Sequence, residues 1–131
     1  MTLKKIVIVE NRTPTDDIND ILRWFSQSFG LISKRDSESS CFRVFIEFVK
    51  NRNIGLKSDE LAQKTNLSRG TVIHHIHTLE CNGLIIHNEN KYFLRATGFS
   101  ELVNEIRKDS ERIFDKIDKI AQKLDKKLNI Q

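Results

Sequence analysis

Arg69, Thr71, Ile73, His74 and His77 are the residues whose types and spacing most readily do chemistry, and the chemistry they suit is contact with duplex DNA. An arginine bonds the O6/N7 edge of guanine in a fork, a threonine hydroxyl bonds a base or a phosphate, and an isoleucine meets a thymine methyl. Gly70 between them allows close approach of the backbone. Histidines set against phosphate would bind more tightly when protonated, near a reference pKa of about 6.5. His74, His77 and Cys81 also stand three and four residues apart, which puts them on one face of a helix, as metal ligands often are. No second cysteine stands beside them, so they remain candidates only and no metal is assigned.

The element that must carry these side chains is a helix over residues 69–82. Ser68 is placed to accept a hydrogen bond from a free N–H of its first turn, and Gly83 supplies the left-handed residue that commonly ends a helix. At 100° per residue Val72, Ile76 and Leu79 share one face, while Gly70, Thr71, His74, His77, Thr78 and Cys81 share the other. His75 lies at the border, suited to packing or to one phosphate contact. A shorter amphipathic helix over residues 58–64, with Ser58 as cap, precedes it through the turn Thr65-Asn66-Leu67. Two β-rich runs follow, residues 84–87 and 91–95, with Asn88-Glu89-Asn90 as the hairpin tip. Helix, turn, helix and hairpin make a winged helix-turn-helix. Its tip carries an acid where wings usually present cations, so Lys91 and Arg95, with Lys64 on the preceding helix, are the expected phosphate contacts.

The run Leu67-Ser68-Arg69-Gly70-Thr71-Val72-Ile73-His74-His75-Ile76-His77-Thr78-Leu79, with Glu80, Gly83, Leu84 and Ile85 after it, resembles the recognition helix and first wing strand of ArsR-like and MarR-like regulators. Ala96-Thr97-Gly98 resembles the junction that leads MarR-like wings into a terminal helix. The resemblance covers about a third of the chain and implies a dimeric DNA-binding regulator, bacterial or archaeal. The paired-cysteine motif of the metal-sensing ArsR-like proteins is missing.

The 131 residues suffice for one modest core, with a net charge of +4 that permits attraction to nucleic acid but is no polybasic footprint. Residues 53–98 hold five basic and four acidic side chains, so the expected DNA-binding part is nearly neutral. No apolar run reaches membrane-spanning length and no secretory signal pattern opens the chain, so no membrane partner and a cytoplasmic location are expected. Cys41 and Cys81 are too few for a disulfide framework. No phosphate-cradling glycine loop, nucleophile elbow or pocketed carboxylate pair is present, so neither catalysis nor a cofactor is expected.

Residues 3–9, LKKIVIV, read as a β-strand whose partner is either the wing sheet or the same strand of another subunit. Thr13 and Pro14 then open a helix running to about Phe29, with Ile18, Ile21, Leu22, Phe25 and Phe29 on one stripe. Residues 33–40, SKRDSESS, read as a solvated linker. Residues 41–49 are apolar nearly all round and belong inside, with Phe42, Phe45, Ile46 and Val49 as the main stripe. At helical spacing these phenylalanines read as core rather than as a ligand pocket.

From Phe99 to Leu128 the chain has neither proline nor glycine and predicts a helix of about 45 Å, capped by Thr97 or Ser100. Ile106, Ser110, Ile113, Ile117, Ile120 and Leu124 recur at alternating three and four residues among charges, the pattern of a coiled-coil seam. Ile106, Ile113, Ile117, Ile120 and Leu124 are accordingly expected to dimerise, folding back onto the same subunit being the alternative.

The expected architecture is mainly α with a small β wing: an N-terminal strand-helix extension at 1–36, the winged helix-turn-helix at 37–98 and a dimerisation helix at 99–131. The expected function is a homodimeric transcription regulator of double-stranded DNA, contacting it through Ser68, Arg69, Gly70, Thr71, Ile73, His74, His77, Lys64, Lys91 and Arg95. A winged-helix adaptor for a protein of the transcription machinery is the alternative, and a metal-responsive repressor using His74, His77 and Cys81 a lesser one.

Overall fold

The computed structural model describes residues 3–32 and 39–130; most of the linker expected at 33–40 lies outside them. The elements run α1 (Ile18–Ser28), α2 (Ser40–Lys50), α3 (Ser58–Thr65), α4 (Arg69–Cys81), β1 (Ile85–Asn88), β2 (Lys91–Leu94) and α5 (Phe99–Lys127). The fold is mainly helical with a two-stranded wing, a winged helix-turn-helix with a long terminal helix.

Val44, Phe45 and Phe48 of α2, Leu61 of α3, and Val72, Ile76 and Leu79 of α4 form the centre of one buried cluster. Each such side chain stabilises by roughly 1.5–3 kcal/mol when fully removed from water. The buried stripe of α2 is Cys41, Val44, Phe45 and Phe48, so Phe42, Ile46 and Val49 flank it rather than lead it. Core packing from α3 and α4 on one side decides the rotation. Arg43 of α2 donates to the carbonyl of Thr65, tying α2 to the last turn of α3. Asn66, in the left-handed conformation, then turns the chain toward α4.

The α4 ends are as the residues predict. Ser68 Oγ accepts from the Thr71 N–H at 3.1 Å. At the other end Gly83 adopts a φ of +80°, its N–H meets the Glu80 carbonyl, and the Leu84 N–H reaches the Leu79 carbonyl, both at 3.0 Å. That paired closure satisfies carbonyls which the helix leaves free. In α3 the cap differs from expectation: Lys57, not Ser58, occupies the cap position, and Glu60 Oε1 accepts from the Lys57 N–H at 3.0 Å.

The hairpin is tighter than a three-residue tip. Asn88 pairs with Lys91, His87 with Tyr92, Ile86 with Phe93 and Ile85 with Leu94, leaving only Glu89 and Asn90 in the turn. Glu89 accommodates this with a φ of +59°. Leu56 adds a single bridge outside β2, exchanging bonds of 2.8 and 2.9 Å with Tyr92.

Two expectations at the N-terminus are corrected. Residues 3–9 form no sheet strand; the Lys5 N–H donates to the Cys81 carbonyl (2.8 Å), the Val7 N–H to Asn82 Oδ1 (2.8 Å) and the Val9 N–H to the Ser28 carbonyl (2.7 Å). The ends of α4 and α1 supply the acceptors a neighbouring strand would have supplied. Helix α1 starts at Ile18, capped by Asp17, because the Thr15 N–H and hydroxyl both bond Asp20 and hold the Thr-Pro-Thr segment outside the helix. Its stripe is buried only at the far end: Phe29 is covered, Leu22 and Phe25 are half-covered, and Ile18 and Ile21 face solvent.

Helix α5 is capped at Gly98 and spans 29 residues, about 43 Å at 1.5 Å per residue. Its apolar stripe meets two environments. Leu102 and Ile106 join the core of their own subunit, whereas Phe114, Ile117, Ile120, Leu124 and Leu128 are each more than half exposed. Ile106 is therefore a core residue, which corrects its assignment to the intersubunit seam. From Phe114 onward the large apolar side chains of α5 lie outside that core.

Candidate nucleic-acid interface

Burial of Val72, Ile76 and Leu79 turns the opposite side of α4 outward, where Arg69, Gly70, Ile73, His74 and His77 are exposed and Thr71 is half-exposed. A Cβ added to Gly70 would meet nothing within 4 Å, so the space before the start of the helix is open. Ser68 and Thr71 are joined there, hydroxyl to hydroxyl at 2.8 Å, so both work partly as cap.

Arg69 Nη2 lies 3.0 Å from Asp59 Oδ1 at the start of α3, both side chains about 70% exposed. Exposed pairs of this kind are worth about 0–1 kcal/mol, so the guanidinium is released at little cost. Asp59 also sets one negative charge at the edge of the face, a neighbour that sequence order alone does not associate with Arg69.

The other histidines divide. His75 Nε2 lies 2.7 Å from Ser40 Oγ at the start of α2, so this ring is tied to the core side of α4. His87 stacks on Tyr92 across the wing, with ring centroids 4.2 Å apart. The longer tip expected from the residues puts the strands in a different register and hides this pair. Among the described residues no group of three His, Cys, Asp or Glu is arranged to hold a metal ion, so His74, His77 and Cys81 are not brought together as a ligand set.

Of the cations expected at phosphate, Lys64 is exposed on α3 and Lys91 half-exposed at the wing. Arg95 is a correction. It donates to Asp109 of α5 through both terminal nitrogens, one contact being Nη2–Oδ1 at 3.1 Å, and it approaches Glu105 at 3.6 Å and the Gly83 carbonyl at 3.4 Å. Its charge is spent inside the subunit. Asp109, 2% exposed, also accepts from Arg112 at 2.9 Å and faces Lys4 at 3.6 Å. Hydrogen bonds from Arg95, then from Arg112, with the charges of Arg95 and Lys4, outweigh burial and hold the carboxyl at about 2. Gly83 leaves room for this clasp, since a Cβ there would stand 3.0 Å from Arg95 Nη1 and 3.1 Å from Asp109 Oδ2. A signal for it existed: Asp109 falls three residues after Ile106 and four before Ile113, on the apolar stripe, where a lone carboxylate requires partners.

A hollow of about 670 Å³ lies between residues 9–14 and α1 and is lined by Arg12, Trp24 and Gln27 among others, none of them on α4 or the wing. Among the described residues, no helix is long and apolar enough to cross a membrane.

Residues 43–93, from within α2 to within β2, match the family model described as an HTH domain. The chain therefore carries a helix-turn-helix domain over that stretch, less than half its length, with α1 and α5 outside the match. No curated protein and no solved structure matches the chain.

Proposed function

We propose that the protein is a homodimeric transcription regulator that reads double-stranded DNA with α4 in the major groove, in the manner of the ArsR-like and MarR-like regulators its recognition segment resembles. The observation that carries this reading is the bare outer side of α4: within a helix-turn-helix domain, Arg69, Gly70, Ile73, His74 and His77 face solvent with open space at Gly70. The groove admits one helix, and its base edges are distinguishable by the donors and methyl groups these residues present. Ser68 and Thr71 position the helix start against the backbone, and Lys64 and Lys91 contact phosphates on either side. The stripe from half-buried Ile113 to exposed Leu128 pairs two copies, so that two α4 helices reach successive half-sites. Residues 1–36 and 99–131 then serve as extension and dimerisation helix around the domain at 37–98, in a protein that works in the cytoplasm without membrane or cofactor.

The test is a titration of duplex DNA obtained by selection from genomic fragments. Affinity should fall by about tenfold or more between about 50 and 200 mM salt, because contacts to phosphate release counterions. A protein that binds no duplex at either salt but is retained by a component of the transcription machinery would replace this reading with that of an adaptor.

A further inference from the structure

The extended segment over residues 4–10 uses only one of its two edges. The N–H groups of Lys5, Val7 and Val9 bond to Cys81, Asn82 and Ser28. In an extended chain N–H and C=O groups point alternately to the two sides, so those of Lys4, Ile6, Ile8 and Glu10 point away. Among the described residues the N–H groups of these four have no hydrogen-bond partner. Ile8 is 69% exposed. An unpaired edge of this kind, rich in β-branched residues, is a template for another strand.

We propose that this edge pairs antiparallel with the same edge of a second copy, on a two-fold axis through Val7. Groups that point outward on even-numbered residues must pair even with even, which gives Ile6 opposite Ile8 and Lys4 opposite Glu10 of the second copy, with Val7 opposite itself. That register sets opposite charges against each other at both ends, and cross-strand pairs of opposite charge are favourable. The segment lies beside the other surface that seeks a second copy: Lys4 Nζ lies 3.6 Å from Asp109, five residues before Phe114, where the exposed apolar side chains of α5 begin. The inference rests on the homodimer proposed above and deepens it. The same segment holds the last carbonyl of α4 and the side chain of Asn82, so strand pairing would fix the two recognition helices relative to each other.

Variants of the full chain test it, each compared with the unaltered protein by analytical ultracentrifugation. Val7→Cys places two thiols on the axis at a non-hydrogen-bonded pair, where Cα atoms about 4.5 Å apart suit a disulfide. Mild oxidation should join the two introduced thiols across the axis, a crosslink mapped by peptide mass spectrometry, while Ile8→Cys, facing Ile6, should give none. Ile8→Pro removes an outward N–H and leaves the three inward bonds, so the fold should persist and association weaken by about tenfold or more. An unaltered protein that sediments as a monomer overturns the homodimer and this pairing together. A dimer that is unaffected by Ile8→Pro, or that crosslinks through position 8 rather than 7, overturns the strand pairing alone.

Discussion

Helix α4 and the distal half of α5 leave opposite kinds of surface bare. Helix α4 hides Val72, Ile76 and Leu79 and shows solvent Arg69, His74 and His77, whereas α5 beyond Ser110 shows solvent Phe114, Ile117, Ile120 and Leu124. Charged and hydrogen-bonding groups lose little by standing in water, so the first surface is stable alone and suits a polyanion. Large apolar side chains gain about 25 cal/mol for every Å² they cover, so the second is incomplete alone and suits a protein surface. The contrast is sharpest within α5 itself: one stripe is covered at Leu102 and Ile106 and bare from Ile117 onward.

The largest expected effect breaks the second surface and spares the first. Ile117→Asp with Ile120→Asp should weaken self-association by about a hundredfold or more, because each dimer would bury four carboxylates without partners. Thermal stability of the subunit should hardly move, since both side chains are exposed. An unchanged sedimentation profile would show that α5 does not pair copies.

Next comes the boundary between the covered and bare halves. Asp109→Ala strands the buried end of Arg95 and should cost about 3 kcal/mol in urea unfolding. The pH dependence has a definite sign. The carboxyl is held at about 2 in the folded chain against 3.8 unfolded, so its stabilisation is complete above about pH 4 and is lost as pH falls toward 2. In Asp109→Ala that loss should be absent from an acid-unfolding comparison, and its persistence would assign acid sensitivity to another carboxylate.

Smaller effects sharpen the reading of α4. Gly70→Ala should stabilise the free protein by about 0.5–1 kcal/mol, since the new methyl meets nothing. On DNA the same methyl should weaken binding, and equal or better binding would remove Gly70 from the contact surface. Asp59→Asn frees Arg69 and removes a negative charge beside it. Duplex affinity should rise a few-fold at low salt, an advantage that fades as salt screens it.

How much of this is legible in the residues depends on how local the physics is. Ser68, Gly83 and the spacing of Val72, Ile76 and Leu79 act within a few residues, and α4 follows from them with its bounds nearly right. The hairpin also follows, but its register depends on Glu89 accepting a positive φ, which is uncommon for that residue. Arg95 misleads because its partner lies 14 residues away on helix α5. Ile106 misleads because a heptad pattern shows which residues share a face and says nothing of what covers it. The N-terminal segment misleads for a related reason: β-branched residues favour an extended chain, but the ends of α4 and α1 provide its acceptors. Nothing in the spacing of residues 3–9 could identify those helix ends.

The most direct measurement is the affinity of the Arg69→Ala, His74→Ala double variant for a selected duplex, read by fluorescence anisotropy beside its sedimentation. Binding should fall by about a hundredfold or more, at roughly 1–3 kcal/mol for each base contact in each subunit, while the dimer stays intact. A double variant that binds as the unaltered protein does would remove the outer side of α4 from DNA recognition.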